Sequence, residues 1–206
     1  MASASEIDPQ PVGTFWVLDL EGTLPDGPRP RCQAQFGRVD AEAVPTLAQA
    51  MGLADPSLPL ERFAAGKRCY GAWVDGQLAA YGWVTFDEEK IGELGLRVRL
   101  SPGEAYIWDC ATLPAYRGQR LYPALLAHIS RALRAEGFRQ ILIGADTDNL
   151  ASQQGFLLAG FQPVADMLLM PGSARNQMLL RGRAGAPEHL VRYLRRALLN
   201  DERRLL

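Results

Sequence analysis

The chain has 206 residues, enough for one domain of generous size or for one domain with appendages. With 48% hydrophobic and 22% charged residues it can bury a sizeable core, as a soluble globular protein does. Its 22 Lys and Arg against 23 Asp and Glu leave a net charge of −1, so nothing global points to nucleic acid or an anionic membrane as partner.

Cys32, Cys69 and Cys110 are odd in number and unpatterned, which fits reduced thiols and a cytoplasmic location rather than a disulfide framework. With only His128 and His189 and no clustered Cys, a metal site has almost no ligands to draw on, and none is expected. No run of 18 or more apolar residues predicts a transmembrane helix. Residues 1–13 lack the basic start and apolar stretch of a signal peptide and are expected to be poorly ordered.

In chain order, Thr14 to Leu20 reads as a strand, followed by a Pro- and Gly-rich loop from Thr23 to Pro30. Gln33 to Val39 reads as a second strand, and Asp40 is placed to cap a helix over Ala41 to Met51. A short helix covers Leu60 to Ala65. Asp75-Gly76 between the apolar runs Arg68–Val74 and Gln77–Phe86 predicts a hairpin, because both turn residues need positive φ. Strands are expected at Ile91–Leu100, Ala105–Leu113, Arg139–Ala145, Phe161–Met170 and Met178–Arg181, with a helix at Asn149–Ala159. Leu121, Leu125, Ile129 and Leu133 recur at helical spacing, with Pro123 in the first turn, so Leu121 to Glu136 is an amphipathic helix. Leu190, Leu194 and Leu198 predict another over 187–206, packed on the domain or on a second copy in a homodimer.

FWVLDLEGTL raises a phosphate question. It resembles the strand-end signature of haloacid-dehalogenase-type phosphohydrolases, in which Asp19 would attack phosphate. Such a site needs further late carboxylates and a Lys. The only lysines are Lys67 and Lys90, neither at a helix start after a strand, and Glu21 lengthens the second acidic side chain. The plainer reading is a turn leaving an edge strand.

The stronger signal is IWDCATLPAYRGQRLYPALLAHI, a strand feeding a short loop and a helix N-terminus. First-turn amides with the helix dipole behind them make an anion site. Arg117 adds charge there, and Gly118 lets the backbone approach a ligand. PAYRGQRLYPALL resembles the acyl-CoA pyrophosphate loop of the GNAT N-acetyltransferase superfamily. NLASQQGFLLAGFQPV, which begins 32 positions after Arg117 (149 − 117), resembles that family's second signature through Asn149, Ser152, Gly160 and Phe161. The resemblance covers about 35–181, within a single domain at 14–186.

The resemblance implies an α/β (α+β) fold, a central mixed and mostly antiparallel sheet flanked by helices. It implies acetyl-CoA as co-substrate and a small-molecule or peptide amine as acceptor, acetylated by direct attack. Arg117, Gly118, Gln119, Arg120, Leu121 and Tyr122 would hold the pyrophosphate, Cys110, Ala111 and Thr112 the pantetheine, and Asn149 would line the cleft. Asp109, a carboxylate in an apolar strand, is the first choice of base, ahead of Glu104, Asp146 and Asp148, the last of which would otherwise cap the helix beside Asn149. Tyr122, Ser152 and Tyr116 are candidate acids. Three residues depart from the pattern: Arg120 and Tyr122 stand where Gly or Ala is usual, and Phe156 where many members carry a proton-donating Tyr. These departures leave open a protein of this fold that binds acyl-CoA without turnover.

Overall fold

A computed structural model describes residues 9–91, 96–169 and 178–198. The Asp75-Gly76 turn has φ of 50° and 77°, and it joins strands β3 (Arg68–Val74) and β4 (Gln77–Thr85) in the expected hairpin. Around this hairpin lie β1 (Pro11–Asp19), β2 (Gln35–Val39), β7 (Glu104–Thr112), β8 (Gln140–Asp146), β9 (Gln162–Leu169) and β10 (Met178–Gly182). Together they form one eight-stranded sheet in the order β10-β9-β1-β8-β7-β4-β3-β2. β5 (Glu88–Ile91) and β6 (Leu96–Arg99) pair separately where one strand was expected, and residues 92–95 of that expectation lie outside the described residues.

Among the described residues five helices cover the sheet: α1 (Val44–Ala50), α2 (Ser57–Ala64), α3 (Leu121–Ala135), α4 (Leu150–Leu158) and α5 (Glu188–Ala197). A 3-10 turn at Ala41–Ala43 precedes α1, capped by Asp40 as its sequence position suggested. One face is sealed by α3 and α4, whose Leu125, Ile129 and Phe156 pack on Trp16, Ile107 and Ile143. The other carries α1, whose Leu47 packs with Trp83, and α5, whose Leu190 and Leu194 pack with Phe15 and Val17. Glu104, buried at the start of β7, pairs with Arg196 and accepts from the Ser101 amide at 2.8 Å, pinning α5 to the sheet. The expected tail helix is described to Leu198; residues 199–206 lie outside the described residues, as does Met170 of the expected strand.

The first strand departs from expectation. Read as an edge strand beyond the resemblance, β1 instead lies inside the sheet, antiparallel to both β8 and β9. Phe15 and Val17 are fully buried toward α5, Trp16 and Leu18 nearly so toward α4. The unbroken apolar run FWVL is what burial on both faces requires, whereas a half-exposed edge strand alternates. Pro11 to Gly13, expected to be poorly ordered, belong to this strand, and residues 1–8 lie outside the described residues.

Candidate active site

Among the described strands, β7 and β8 are the one parallel pair, in register from Glu104–Gln140 to Ile107–Ile143. Beyond Ile107 and Ile143 the two strands part. At their carboxyl ends a cleft of about 670 Å³ opens between the end of β7, the loop into α3, and α4. Ligands in open α/β sheets collect at such a parting of strands.

The cleft brings together Cys110, Ala111 and Thr112, the whole loop from Arg117 to Tyr122, and Asn149 and Ser152. Tyr116 lines it too. The loop is a tight structure. After a 3-10 turn at Pro114–Tyr116, Gly118 has φ of 77° and Arg120 of 58°, both left-handed. Left-handed backbone at Arg120 is the physical reason a glycine suits that position; an arginine there costs about 1 kcal/mol.

Arg31 holds the loop from outside. Its amide donates to the Gln119 carbonyl at 2.9 Å and its Nη1 to the Gly118 carbonyl at 3.2 Å. In a trans peptide the carbonyl and the following N–H point in opposite directions, so these bonds turn the Gln119 and Arg120 amides away from Arg31. Among the described residues, the amides of Gly118 through Tyr122 have no protein acceptor. Five donors in a row at the start of a 15-residue helix form a nest for an anion.

Tyr122 occupies space that Gly155 leaves free. A Cβ on Gly155 would meet the tyrosine ring at 2.8 Å. The ring also lies 6.2 Å from Phe156, and its hydroxyl interacts with the side chains of Ser152 and Cys110. Burial raises the Tyr122 hydroxyl well above its ordinary pKa and pushes the Cys110 thiol up to about 12, so both keep their protons at neutral pH. Phe156 turns into the core, edge-on to Trp16 at 5.6 Å.

Asn149 caps α4 by accepting from the Ser152 amide at 3.1 Å, so the cap is Asn149 and not its neighbour Asp148. The Asp146 carbonyl accepts from the Gln153 side chain at 3.0 Å. Glu104, engaged by Arg196, sits at the end of β7 remote from the cleft.

Asp109 does not join the cleft residues. Between the Tyr81–Ala111 and Trp83–Trp108 pairs, β4 contributes only Gly82 while β7 contributes Asp109 and Cys110, which makes a β-bulge. Asp109 takes φ of 43° at the bulge, and its Oδ2 lies 2.5 Å from Arg62 Nη1 on the face covered by α1 and α2. The Arg62 guanidinium lies 4.3 Å from the Trp108 ring centroid and 5.0 Å from that of Trp83.

Asp19 is placed by register opposite Gln140, at the end of β8 away from the cleft. Its Oδ1 accepts from the Glu21 amide at 2.9 Å in a tight turn, and its Oδ2 lies 3.7 Å from His189 Nε2 on α5. The phosphohydrolase resemblance therefore carries no site. Among the described residues no group of three or more His, Cys, Asp or Glu gathers to hold a metal, and no helix is long and apolar enough to cross a membrane. The sequence reading missed Arg31, Arg62 and Gly155; only the Pro- and Gly-rich setting of Arg31 marks a loop able to reach another element.

No curated protein matches the sequence. Among solved structures the chain is similar to a GNAT-family acetyltransferase from Colwellia psychrerythraea, at 15% identity and a TM-score of 0.52, covering 75% of this chain and 53% of that one. It is also similar to a putative GNAT-family acetyltransferase from Novosphingobium aromaticivorans, at 19% identity and a TM-score of 0.48, covering 75% and 61%. A third is AAC(6')-Iy in complex with the bisubstrate analogue CoA-S-monomethyl-acetylneamine, at 14% identity and a TM-score of 0.50, covering 63% and 91%. At 15% and 14% identity the likeness to the first and third is one of fold, and the chain spans only 53% and 61% of the first two structures. The family model of GNAT acetyltransferases matches residues 41–161, more than half of the sequence. The chain belongs to the GNAT acetyltransferase family.

Proposed function

We propose that the protein is an N-acetyltransferase that moves the acetyl group of acetyl-CoA directly to a primary amine. The observation that carries this reading is the run of five unbonded amides, Gly118 to Tyr122, facing a cleft shared with Arg117 and Arg120. That donor set suits a diphosphate. Cys110 to Thr112, at the open edge of β7, suit the pantetheine arm, which pairs as an added strand would.

The neutral amine attacks the thioester carbonyl carbon, a C–N bond forms, and the C–S bond breaks as the tetrahedral intermediate collapses. Backbone N–H groups freed by the bulge at Asp109 stabilise the oxyanion. Tyr122 supplies a proton to the departing thiolate, a role supported by its place in the cleft lining beside Cys110 and Ser152. The proton lost by the amine passes to solvent. Asp109 is engaged by Arg62 and stands outside the cleft lining, so we assign it to holding the bulge rather than to proton removal.

The left-handed Arg120 and the inward-facing Phe156 favour a second reading, a protein that binds acyl-CoA without turnover. Calorimetry with CoA, followed by thiol release from acetyl-CoA over a panel of amines, separates the two. Heat together with amine-dependent thiol release is expected; heat alone leaves the binder, and no heat removes both.

A further inference from the structure

The loop from β1 to β2 precedes the region matched by the family, yet its Arg31 lines the cleft. It crosses α3 and the end of α4 and is fixed at three points. Pro25 sits on Gly160, where a Cβ would come within 2.6 Å of the proline ring. The Asp26 carbonyl accepts from Arg131 Nη1 at 3.1 Å, and Gly27 passes close enough to α3 that a Cβ would lie 2.6 Å from that of Ala127. The third point is Arg31, bonded to the Gly118 and Gln119 carbonyls.

These anchors place the exposed Arg31 guanidinium in the cleft lining with Arg117 and Arg120. Among the described residues no carboxylate pairs with any of the three. Among the described residues, one N–H of the Arg31 guanidinium is spent on a protein acceptor, and an arginine has five to give. Three cations held around one nest of amides, without anions of their own, are complementary to a ligand carrying several negative charges. We propose that Arg31 is a phosphate-binding residue for coenzyme A, supplied by the β1–β2 loop from outside the family-matched region. The inference rests on the coenzyme A reading of the cleft. It also accounts for a loop that tolerates arginine at position 120: Arg31 braces the backbone through its carbonyls and adds charge to the cleft lining beside it.

Calorimetry of CoA with the wild type, Arg31→Gln and Arg31→Lys over a series of salt concentrations tests it. Arg31→Gln is expected to bind about tenfold more weakly at low salt, as for a lost charge-assisted hydrogen bond. The deficit should shrink as salt rises, and Arg31→Lys should recover part of it, because a direct charge contact is screened. Repeating the titration with dephospho-CoA locates the contact: a deficit that vanishes marks the 3′-phosphate, one that persists the diphosphate. An unchanged affinity overturns the proposal. So does a deficit equal at every salt and shared by Arg31→Lys, which describes a brace for the loop and nothing more. A wild type that fails to bind CoA removes the reading of the cleft and this inference with it. A wild type that binds while Arg31→Gln is indifferent removes this inference alone.

Discussion

Arg62 and Asp109, 47 positions apart, meet at 2.5 Å beneath Trp83 and Trp108. The arginine side chain is only 13% exposed and the aspartate 33%. Removing the aspartate charge leaves a mostly buried guanidinium without its counterion, which costs more than an exposed pair is worth. Asp109→Asn keeps a residue tolerant of left-handed φ, so the backbone of the bulge is unaffected. The expected loss is about 1–3 kcal/mol, read from urea unfolding midpoints. Adding Arg62→Met should restore part of it; a double variant no better than the single one contradicts the account.

Tyr122→Phe removes one hydroxyl and keeps the ring packed against Gly155 and Phe156. If that hydroxyl protonates the thiolate, kcat for acetyl transfer falls about a hundredfold. The Kd for CoA should stay within about twofold, since the anion is held by amides and arginines. A variant with unchanged kcat would return the acid role to Ser152, Tyr116 or solvent.

Gly155 and Tyr122 form a small-for-large pair across α3 and α4. Gly155→Ala alone places a methyl 2.8 Å from the ring, and the protein should melt lower despite the better helix former. In a Tyr122→Ala background the same change should instead stabilise, by about 0.5–1 kcal/mol. The sign reversal across the double-mutant cycle is the test; additive effects would show that the ring moves aside freely.

His128 stacks on Phe36 at 5.8 Å, and burial, with a smaller contribution from Arg131, holds its pKa below the ordinary 6.5. The unfolded chain then binds the proton more readily than the folded one. Stability is therefore fully present above about pH 6.5 and falls as the solution is acidified below that value. His128→Phe should flatten the drop in urea midpoint between about pH 7.5 and 5.5. An equal drop in the variant would assign the pH sensitivity to other groups.

Local features were legible in the sequence because local physics decides them. Asp75-Gly76 fixes its hairpin through φ alone, and the leucine spacing of α3 marks the buried face. The cleft followed, since a loop between a strand and a helix N-terminus has little freedom in where it puts its amides. What escaped the reading depends on distant partners. Arg31 meets Gly118 across 87 positions, and nothing in its neighbourhood names that contact. Gly155 is conspicuous only once Tyr122 stands above it. Asp109 looked like a buried acid in need of a reason; the reason was an arginine on a helix whose packing direction the sequence does not encode locally. Arg120 was noted as a departure, but only its left-handed φ explains what the departure costs.

The interior position of β1 bears on how the chain acquires its structure. Both neighbours of this strand, β8 and β9, are encoded more than a hundred residues downstream. During synthesis the apolar run from Phe15 to Leu18 has no edge to join until β8, more than a hundred residues later, has left the ribosome. Pairing over so long a stretch of chain leaves an apolar segment waiting for its partners, and long-range pairing of this kind slows folding.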